Sequence, residues 1–190
     1  MLPILQVPNP ILRQKSTAVV KIDKKVLQFI NRLKQTLIHQ DHPKGVGLSA
    51  IQVGQPWRIF LTYLPSPQNR TIQVFINPEI VSVSKKLTLG PNPQKPILEG
   101  CLSIPRIYGP VYRHQWVKLK YKYTSGVYLD SPKVKTVVVK FTAFPARVIQ
   151  HELDHLNGIL FPDRSLKDNL PLYQEINDKL ESATQTKLVP

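Results

Sequence analysis

Two histidines four positions apart, His151 and His155, stand in the stretch RVIQHELDHLNG, with Glu152 beside the first and Asp154 beside the second. On a helix, positions four apart differ by about 40 degrees, so both imidazoles leave one face a turn apart and can hold the same cation. Glu152 lies about 100 degrees round from His151, where its carboxylate can reach a water activated by the cation without being a ligand. Metal-assisted hydrolysis is the chemistry this spacing suits. The plainer reading is a pair of histidines on the polar face of an amphipathic helix. Pro145 and Gly158, which suit the first helical position and the residue just past the end, favour the metal reading. Asp154 either orients a partner of the site or merely solvates the helix.

A hydrolytic site of this kind takes three protein ligands and leaves a position for water. No histidine follows His155, so the third ligand is either Glu175 or Glu181 downstream, as in a zinc peptidase, or a residue upstream in LEGCLSIP. Cys101, the only cysteine of the chain, is by itself most simply a small buried apolar side chain. Its neighbours argue otherwise. Gly100 permits close backbone approach, and Glu99 and Ser103 put polar atoms where a core strand would have none. A thiolate ligand would also suit Fe(II) as well as Zn(II).

The elements that must position these residues are legible from periodicity. Val26, Ile30, Leu33, Leu37 and Ile38 recur at helical spacing between Lys24 and Gln40, with Asp23 as the cap and Pro43 as the stop. WRIFLTYL and IQVFINP have the length and β-branched or aromatic content of strands. GPNPQKP, residues 90–96, is a loop. HQWVKLKYKY alternates Lys118, Lys120 and Lys122 with Val117, Leu119 and Tyr121, and KVKTVVVKF follows a turn around Ser125 and Gly126; such alternation predicts antiparallel strands with one solvated face. The histidine helix comes next. A last helix is predicted between Pro171 and Glu181, with Leu172, Ile176 and Leu180 on one face. Strands followed by helices, without βαβ alternation, indicate an α+β fold: antiparallel sheets around a central helix carrying HELDH, with an N-terminal amphipathic helix and a C-terminal helix.

With 190 residues, 42% of them hydrophobic, the chain fits one domain, residues 1–182, with a loose tail at 183–190. The formal net charge of +14 favours acidic surroundings such as RNA, a ribosome surface or anionic lipid. The lysines and arginines are nonetheless scattered, as on an ordinary solvated surface. A single cysteine excludes an intrachain disulfide and gives no argument for an oxidising compartment. Pro3, Pro8 and Pro10 interrupt the opening stretch, which lacks the pattern of a secretory signal, and no run approaches the roughly 18 apolar residues of a membrane span. A soluble cytoplasmic protein is expected, with no membrane partner and no specific DNA contact.

Three stretches in order, GVGLSAIQ at 45–52, EGCLS at 99–103 and QHELDH at 150–155, resemble the peptide deformylases, and the likeness runs from about residue 5 to 165. The resemblance implies metal ligands at Cys101, His151 and His155 and a catalytic carboxylate at Glu152. It also implies an oxyanion held by Gln52 and the backbone N–H of Leu102. Val46, Gly47, Leu48 and Gly100 fall on its substrate side, where the glycines would let an extended peptide lie as an added strand; Val46 and Leu48 could equally be core. The implied reaction removes formate from nascent N-formylmethionyl peptides. The implied cofactor is one divalent metal, Fe(II) by preference, with Zn(II), Ni(II) or Co(II) also acceptable to these donors. The departure is Ser49, where most members of the family have alanine; its hydroxyl needs a partner if buried. Arg113 is a candidate partner for Glu99, and the basic surface would allow a ribosome contact. The competing readings are the zinc peptidase with Glu175 or Glu181, a basic RNA- or ribosome-binding module whose histidine helix is structural, and a catalytically idle relative.

Overall fold

The computed structural model describes residues 1–41, 44–65, 70–125 and 133–183. After an N-terminal segment, α1 (Lys24–Ile38) forms over the predicted stretch, ending two residues short of Gln40 and leaving Ile38 exposed rather than on the buried face. Asp23 caps it by accepting a bond from the Val26 N–H (3.0 Å), and Val26, Ile30, Leu33 and Leu37 are buried along one face. The chain then builds β1 (Gly47–Ser49), a short 3-10 turn (Ala50–Val53), β2 (Ile59–Pro65), β3 (Arg70–Val83) and β4 (Leu87–Thr88). A hairpin of β5 (Leu98–Cys101) and β6 (Ile104–Pro110) follows, then β7 (Arg113–His114), β8 (Trp116–Ser125) and β9 (Lys133–Thr142).

Every strand pairing is antiparallel. The larger sheet has the order β1-β2-β3-β8-β9, and a short ladder joins β4 to β7. Along β2 the side chains alternate between two cores. Ile59 and Leu61 pack with α1, whereas Phe60 packs on the opposite face with Phe75, Val117 and Leu119. A strand covered on both faces reads as an unbroken apolar run, which is why WRIFLTYL shows no alternation. The β8 lysines, by contrast, are left at the solvent face by the alternation seen in the sequence.

The second core is closed by α2 (Ala143–Leu156), whose Ala146, Ile149, Leu153 and Leu156 lie against Phe60 and Phe75. This central helix carries HELDH. It begins two residues before Pro145, after Thr142, so Pro145 occupies the third helical position rather than the first. Gly158 follows its end at φ +72°, where a Cβ would stand 2.3 Å from the Arg13 carbonyl oxygen, so glycine is required there.

Two corrections fall after α2. A short helix, α3 (Phe161–Lys167), is present where none was expected; Pro162 sits in its first turn and Asp163 accepts from the Leu160 N–H (2.9 Å). The helix predicted between Pro171 and Glu181 is instead a hairpin of β10 (Tyr173–Ile176) and β11 (Lys179–Ser182). Its two-residue loop places Asn177 at φ 49° and Asp178 at φ 60°, the left-handed pair that a tight hairpin turn requires and that Asn and Asp tolerate. Of the three residues of the predicted apolar face, Leu172 is buried whereas Ile176 and Leu180 are exposed. The hairpin completes a second sheet, β11-β10-β6-β5, through Tyr173↔Tyr108 and Gln174↔Ile107. The architecture is α+β, with antiparallel sheets on either side of a central helix. Pro43, Gly126 and residues 184–190 lie outside the described residues.

Candidate active site

Three pieces of chain converge on one side of α2. The 3-10 turn after β1 buries Gln52, whose Oε1 accepts the Ser49 N–H (2.8 Å) while Nε2 donates to Ser103 Oγ (3.1 Å) and to Cys101 Sγ (3.5 Å). Strand β5 brings in Glu99, Gly100 and Cys101. The N-terminal segment laces these two pieces together, Leu5 N–H bonding the Gln52 carbonyl (2.8 Å) and Val7 N–H the Ser103 carbonyl (3.0 Å). The third piece is α2 itself.

The sulfur of Cys101 and one ring nitrogen each of His151 and His155 all lie within 4.8 Å of one another. His155 Nε2 is 3.2 Å from the sulfur. His151 Nδ1 faces Glu99 Oε2 at 2.9 Å, which fixes the ring and leaves Nε2 for the cation. Among the described residues, His155 Nδ1 is buried without a hydrogen-bond partner. One soft sulfur and two imidazoles suit a divalent transition metal, and their convergence fits one ion. The two zinc-peptidase candidates for a third ligand lie away from this cluster. Glu175 lies on the C-terminal hairpin, within 3.4 Å of the Tyr108 hydroxyl, and Glu181 is exposed beside it, so neither reaches the histidines.

Glu152 is 3% exposed and packs under β1, so close to Gly47 that a Cβ there would lie 2.2 Å from Glu152 Oε1. The Ser49 hydroxyl donates to Glu152 Oε2 (2.6 Å), which is the partner its burial demanded. Burial pushes the Glu152 carboxyl up to about 7, against the opposing pull of His151 and of the Ser49 hydrogen bond. A carboxyl poised there can both take and give a proton near neutrality.

Behind the ligands lies a buried ionic cluster. Glu99 accepts four bonds: from Arg113 Nε (3.0 Å) and Nη2 (2.8 Å), from Arg147 Nη1 (2.8 Å) and from His151. Arg113 also pairs with Asp154, which in turn holds Arg164 of α3. Burial alone would raise Glu99, but the charge of Arg113 and the hydrogen bonds from His151 and Arg113 hold it well below the usual carboxylate range. Burial likewise opposes a charge on His151, yet its bonds to Cys101 and Glu99 outweigh that and push it up. His155 is pushed down by burial and by its cationic neighbours His151 and Arg113. Asp154 therefore orients rather than solvates, and the Arg113–Glu99 pair exists.

A cleft of about 230 Å³ opens beside the ligands. Val46, Gly47, Gly100 and Leu102 line it, with Ile97, Phe144 and Val148. Leu48 does not: it is fully buried in the core against α1, because alternation along β1 turns it away from the cleft. The sequence reading missed Arg147, although its place one turn before His151 on the same helix face was a usable clue. It also missed that Glu99 holds His151. No helix among the described residues is long and apolar enough to cross a membrane.

A sequence model of the polypeptide deformylase family matches residues 1–169. Among named relatives, a peptide deformylase of Wolinella succinogenes is 33% identical over 168 residues, 86% of this chain and 88% of its own. One of Microchaete diplosiphon is 38% identical over 169 residues, 88% of this chain and 80% of its own. Among solved structures, a Met-Ala-Ser-bound class I type b peptide deformylase from Acinetobacter baumannii superposes with a TM-score of 0.70 at 32% identity, covering 86% of this chain and 98% of that one. A probable peptide deformylase from Synechococcus phage S-SSM7 gives 0.71 at 31% identity, covering 86% and 99%. The chain belongs to the polypeptide deformylase family, the metal-dependent hydrolases that remove the N-formyl group from newly made proteins.

Proposed function

We propose that Glu152 is the acid and base of the deformylation, that Gln52 and the Leu102 N–H hold the oxyanion, and that Cys101, His151 and His155 hold the metal. A bound divalent cation supplies Lewis acidity and makes water acidic enough to ionise near neutral pH. Glu152 takes the proton of the attacking water as its oxygen bonds the formyl carbon. When the carbon–nitrogen bond breaks, Glu152 returns that proton to the departing amine, leaving formate and a free amino terminus. The Gln52 amide, held at its oxygen by the Ser49 N–H and at its nitrogen by Ser103 Oγ, donates to the oxygen that gains charge in place of its long contact to the Cys101 sulfur, so little orientation is left to fix. The observation that carries this reading is the convergence of one sulfur and two imidazole nitrogens within 4.8 Å beside a buried carboxylate.

Strands β1 and β5 wall the cleft and are both edge strands of their sheets. That supports an extended formyl-peptide bound as an added strand along Val46, Gly47 and Gly100, its methionine side chain among Ile97, Phe144 and Val148. Fe(II) is our choice of metal, and Zn(II), Ni(II) or Co(II) would be accepted by the same donors. We further assign residues 1–182 as one catalytic unit working in a cytoplasm. Its ribosome contact would be the solvent face of β8 and β9, where Lys118 lies opposite Lys140 and Lys120 follows at the next position on that face.

The deciding experiment is anaerobic purification, metal quantitation and formate release from formyl-Met peptides. Glu152→Ala should keep its metal and lose at least about a hundredfold in kcat, while Cys101→Ala should lose the metal itself. A folded, metal-loaded wild type that releases no formate would sink the assignment. Salt-dependent cosedimentation with ribosomes, lost in Lys118→Glu/Lys140→Glu, tests the contact.

A further inference from the structure

The β5–β6 hairpin departs from regular pairing where it borders the cleft. Its register runs Leu98↔Pro110, Glu99↔Gly109 and Gly100↔Tyr108, then jumps to Cys101↔Ile104, so residues 105–107 bulge from β6 with no partner on β5. At the middle of the bulge Arg106 has φ +63°. Among the described residues, four of the other five non-glycine residues at positive φ are asparagine or aspartate, whose short polar side chains stabilise that conformation locally. Arginine has no such help. Strain of this kind persists where surrounding structure enforces it, and it concentrates at binding sites.

Arg106 is exposed and lines the cleft, and Lys44 lines it too from the segment leading into β1, also exposed. Among the described residues neither side chain has an ion-pair partner. The acids of the cleft wall are Glu99 and Glu152, both buried, the first already committed to two arginines and His151. The two rims of the cleft thus present unpaired cations to whatever extends past the methionine pocket. An extended chain rises about 3.3 Å per residue, so the rims face the first few residues after the formyl-methionine.

We propose that Arg106, with Lys44 on the facing rim, is a specificity-determining residue that makes the enzyme favour formyl-methionyl chains with an acidic side chain in the positions just after methionine. This rests on the deformylase reading and deepens it. Exposed pairs are individually weak, roughly two- to fivefold each. Attraction of an acid by two cations and repulsion of a base combine to a discrimination of about tenfold.

The test uses metal-loaded full-length protein and C-terminally amidated peptides, formyl-Met-Ala-X-Ser-amide and formyl-Met-X-Ala-Ser-amide with X as Glu, Gln or Lys. Amidation removes the terminal carboxylate as an alternative anion. The expected order of kcat/KM is Glu over Gln over Lys at one position or both, about tenfold from end to end at low salt. The difference should reside in KM and shrink at about 0.5 M salt. Arg106→Asn, which suits the left-handed backbone and removes the charge, should cut the Glu-to-Lys ratio at least threefold. Arg106→Lys should retain most of it, and Lys25→Asn on the exposed face of α1 should leave it as in the wild type. A wild-type ratio near one, or an unchanged ratio in Arg106→Asn, overturns the proposal. If no peptide releases formate, the deformylase reading itself fails. The rim is then judged by the same Glu, Lys and Arg106→Asn comparison in calorimetric binding of the unformylated peptides, where equal affinities refute it.

Discussion

Replacing Glu99 by glutamine keeps the side chain's shape and removes its charge. In the native cluster the carboxylate accepts four bonds, two at Oε1 from Arg113 and Arg147 and two at Oε2 from Arg113 and His151. An amide has one acceptor oxygen, so whichever way it turns, two donors face an NH2 group. Two carboxylates, Glu99 and Asp154, now balance three guanidiniums, Arg113, Arg147 and Arg164; in the variant one carboxylate faces the same three. Unsatisfied buried donors at about 1–3 kcal/mol each, and a broken buried ion pair at about 3–5 kcal/mol, bracket the loss at about 3–5 kcal/mol. That is a large part of a typical total of about 5–15 kcal/mol. For a chain of this size it corresponds to a fall in Tm of about 6–20 °C. His151 loses the carboxylate that aims its ring, so metal affinity should drop by about 10- to 100-fold. Calorimetric melting of the metal-free protein reads the first effect, and chelator competition reads the second. Because Arg113 and the bonds from His151 and Arg113 outweigh burial and depress the Glu99 carboxyl, its stabilisation is complete above its ordinary value of about 4.5 and is lost as pH falls below it. The variant should therefore show a shallower loss of stability on the acid side. A metal-free Tm within about 2 °C of wild type would refute the ionic argument, and an unchanged metal affinity would refute the link to His151.

Three further perturbations follow from single contacts. Gly47→Ala puts a Cβ where Glu152 Oε1 stands, 2.2 Å away; displacing the carboxylate by about an ångström should cost roughly a hundredfold in kcat with metal content unchanged, and steady-state kinetics with metal analysis checks both. Ser49→Ala removes the hydroxyl that binds Glu152 Oε2, so formate release should slow about three- to tenfold through kcat, roughly the net worth of one ordinary hydrogen bond; equal rates would show that packing alone holds the carboxylate. Gly158→Ala meets the Arg13 carbonyl oxygen at 2.3 Å with φ +72° and should lower stability by more than about 1 kcal/mol, read by denaturant unfolding.

What was legible in the sequence was whatever a short contiguous pattern enforces. The HELDH spacing, the Asp23 cap and the lysine alternation of β8 are local, and each forms as its residues dictate. Cys101 was one of the open candidates for a third ligand until the resemblance chose it, since nothing in a lone cysteine announces that a hairpin will carry it to a helix some fifty residues later in the chain. Residues 171–181 failed for a different reason: Leu172, Ile176 and Leu180 satisfy a helical period, but the Asn177–Asp178 pair satisfies a tight turn. The free edge of β6, which no local pattern reveals, settled the competition through its pairing with β10. Leu48 was misplaced by one step of strand alternation. The choice between core and cleft there depends on which face of β1 meets α1, and that is a tertiary fact.

The ionic cluster also explains how the site can be assembled before a metal arrives. Glu99 sits on β5 two residues before Cys101, Arg147 and Asp154 lie on the helix that carries both histidines, Arg113 belongs to β7, and Arg164 to α3. The contacts Glu99–His151, Glu99–Arg147, Arg113–Glu99, Arg113–Asp154 and Asp154–Arg164 tie those four elements at fixed distances. Well-packed apolar side chains would fill the same space with no desolvation penalty and could be the more stable choice. They could not, however, aim the His151 Nδ1 side at an acceptor, and so could not dictate which nitrogen is left for the cation. Stability alone does not account for five charges under the site. Holding three ligand atoms from two separate elements within 4.8 Å against the mutual repulsion of two imidazoles does account for them. The same logic makes the network's two ends unequal: severing Asp154 from the half-exposed Arg164 should disturb metal binding far less than removing Glu99, because only Glu99 touches a ligand.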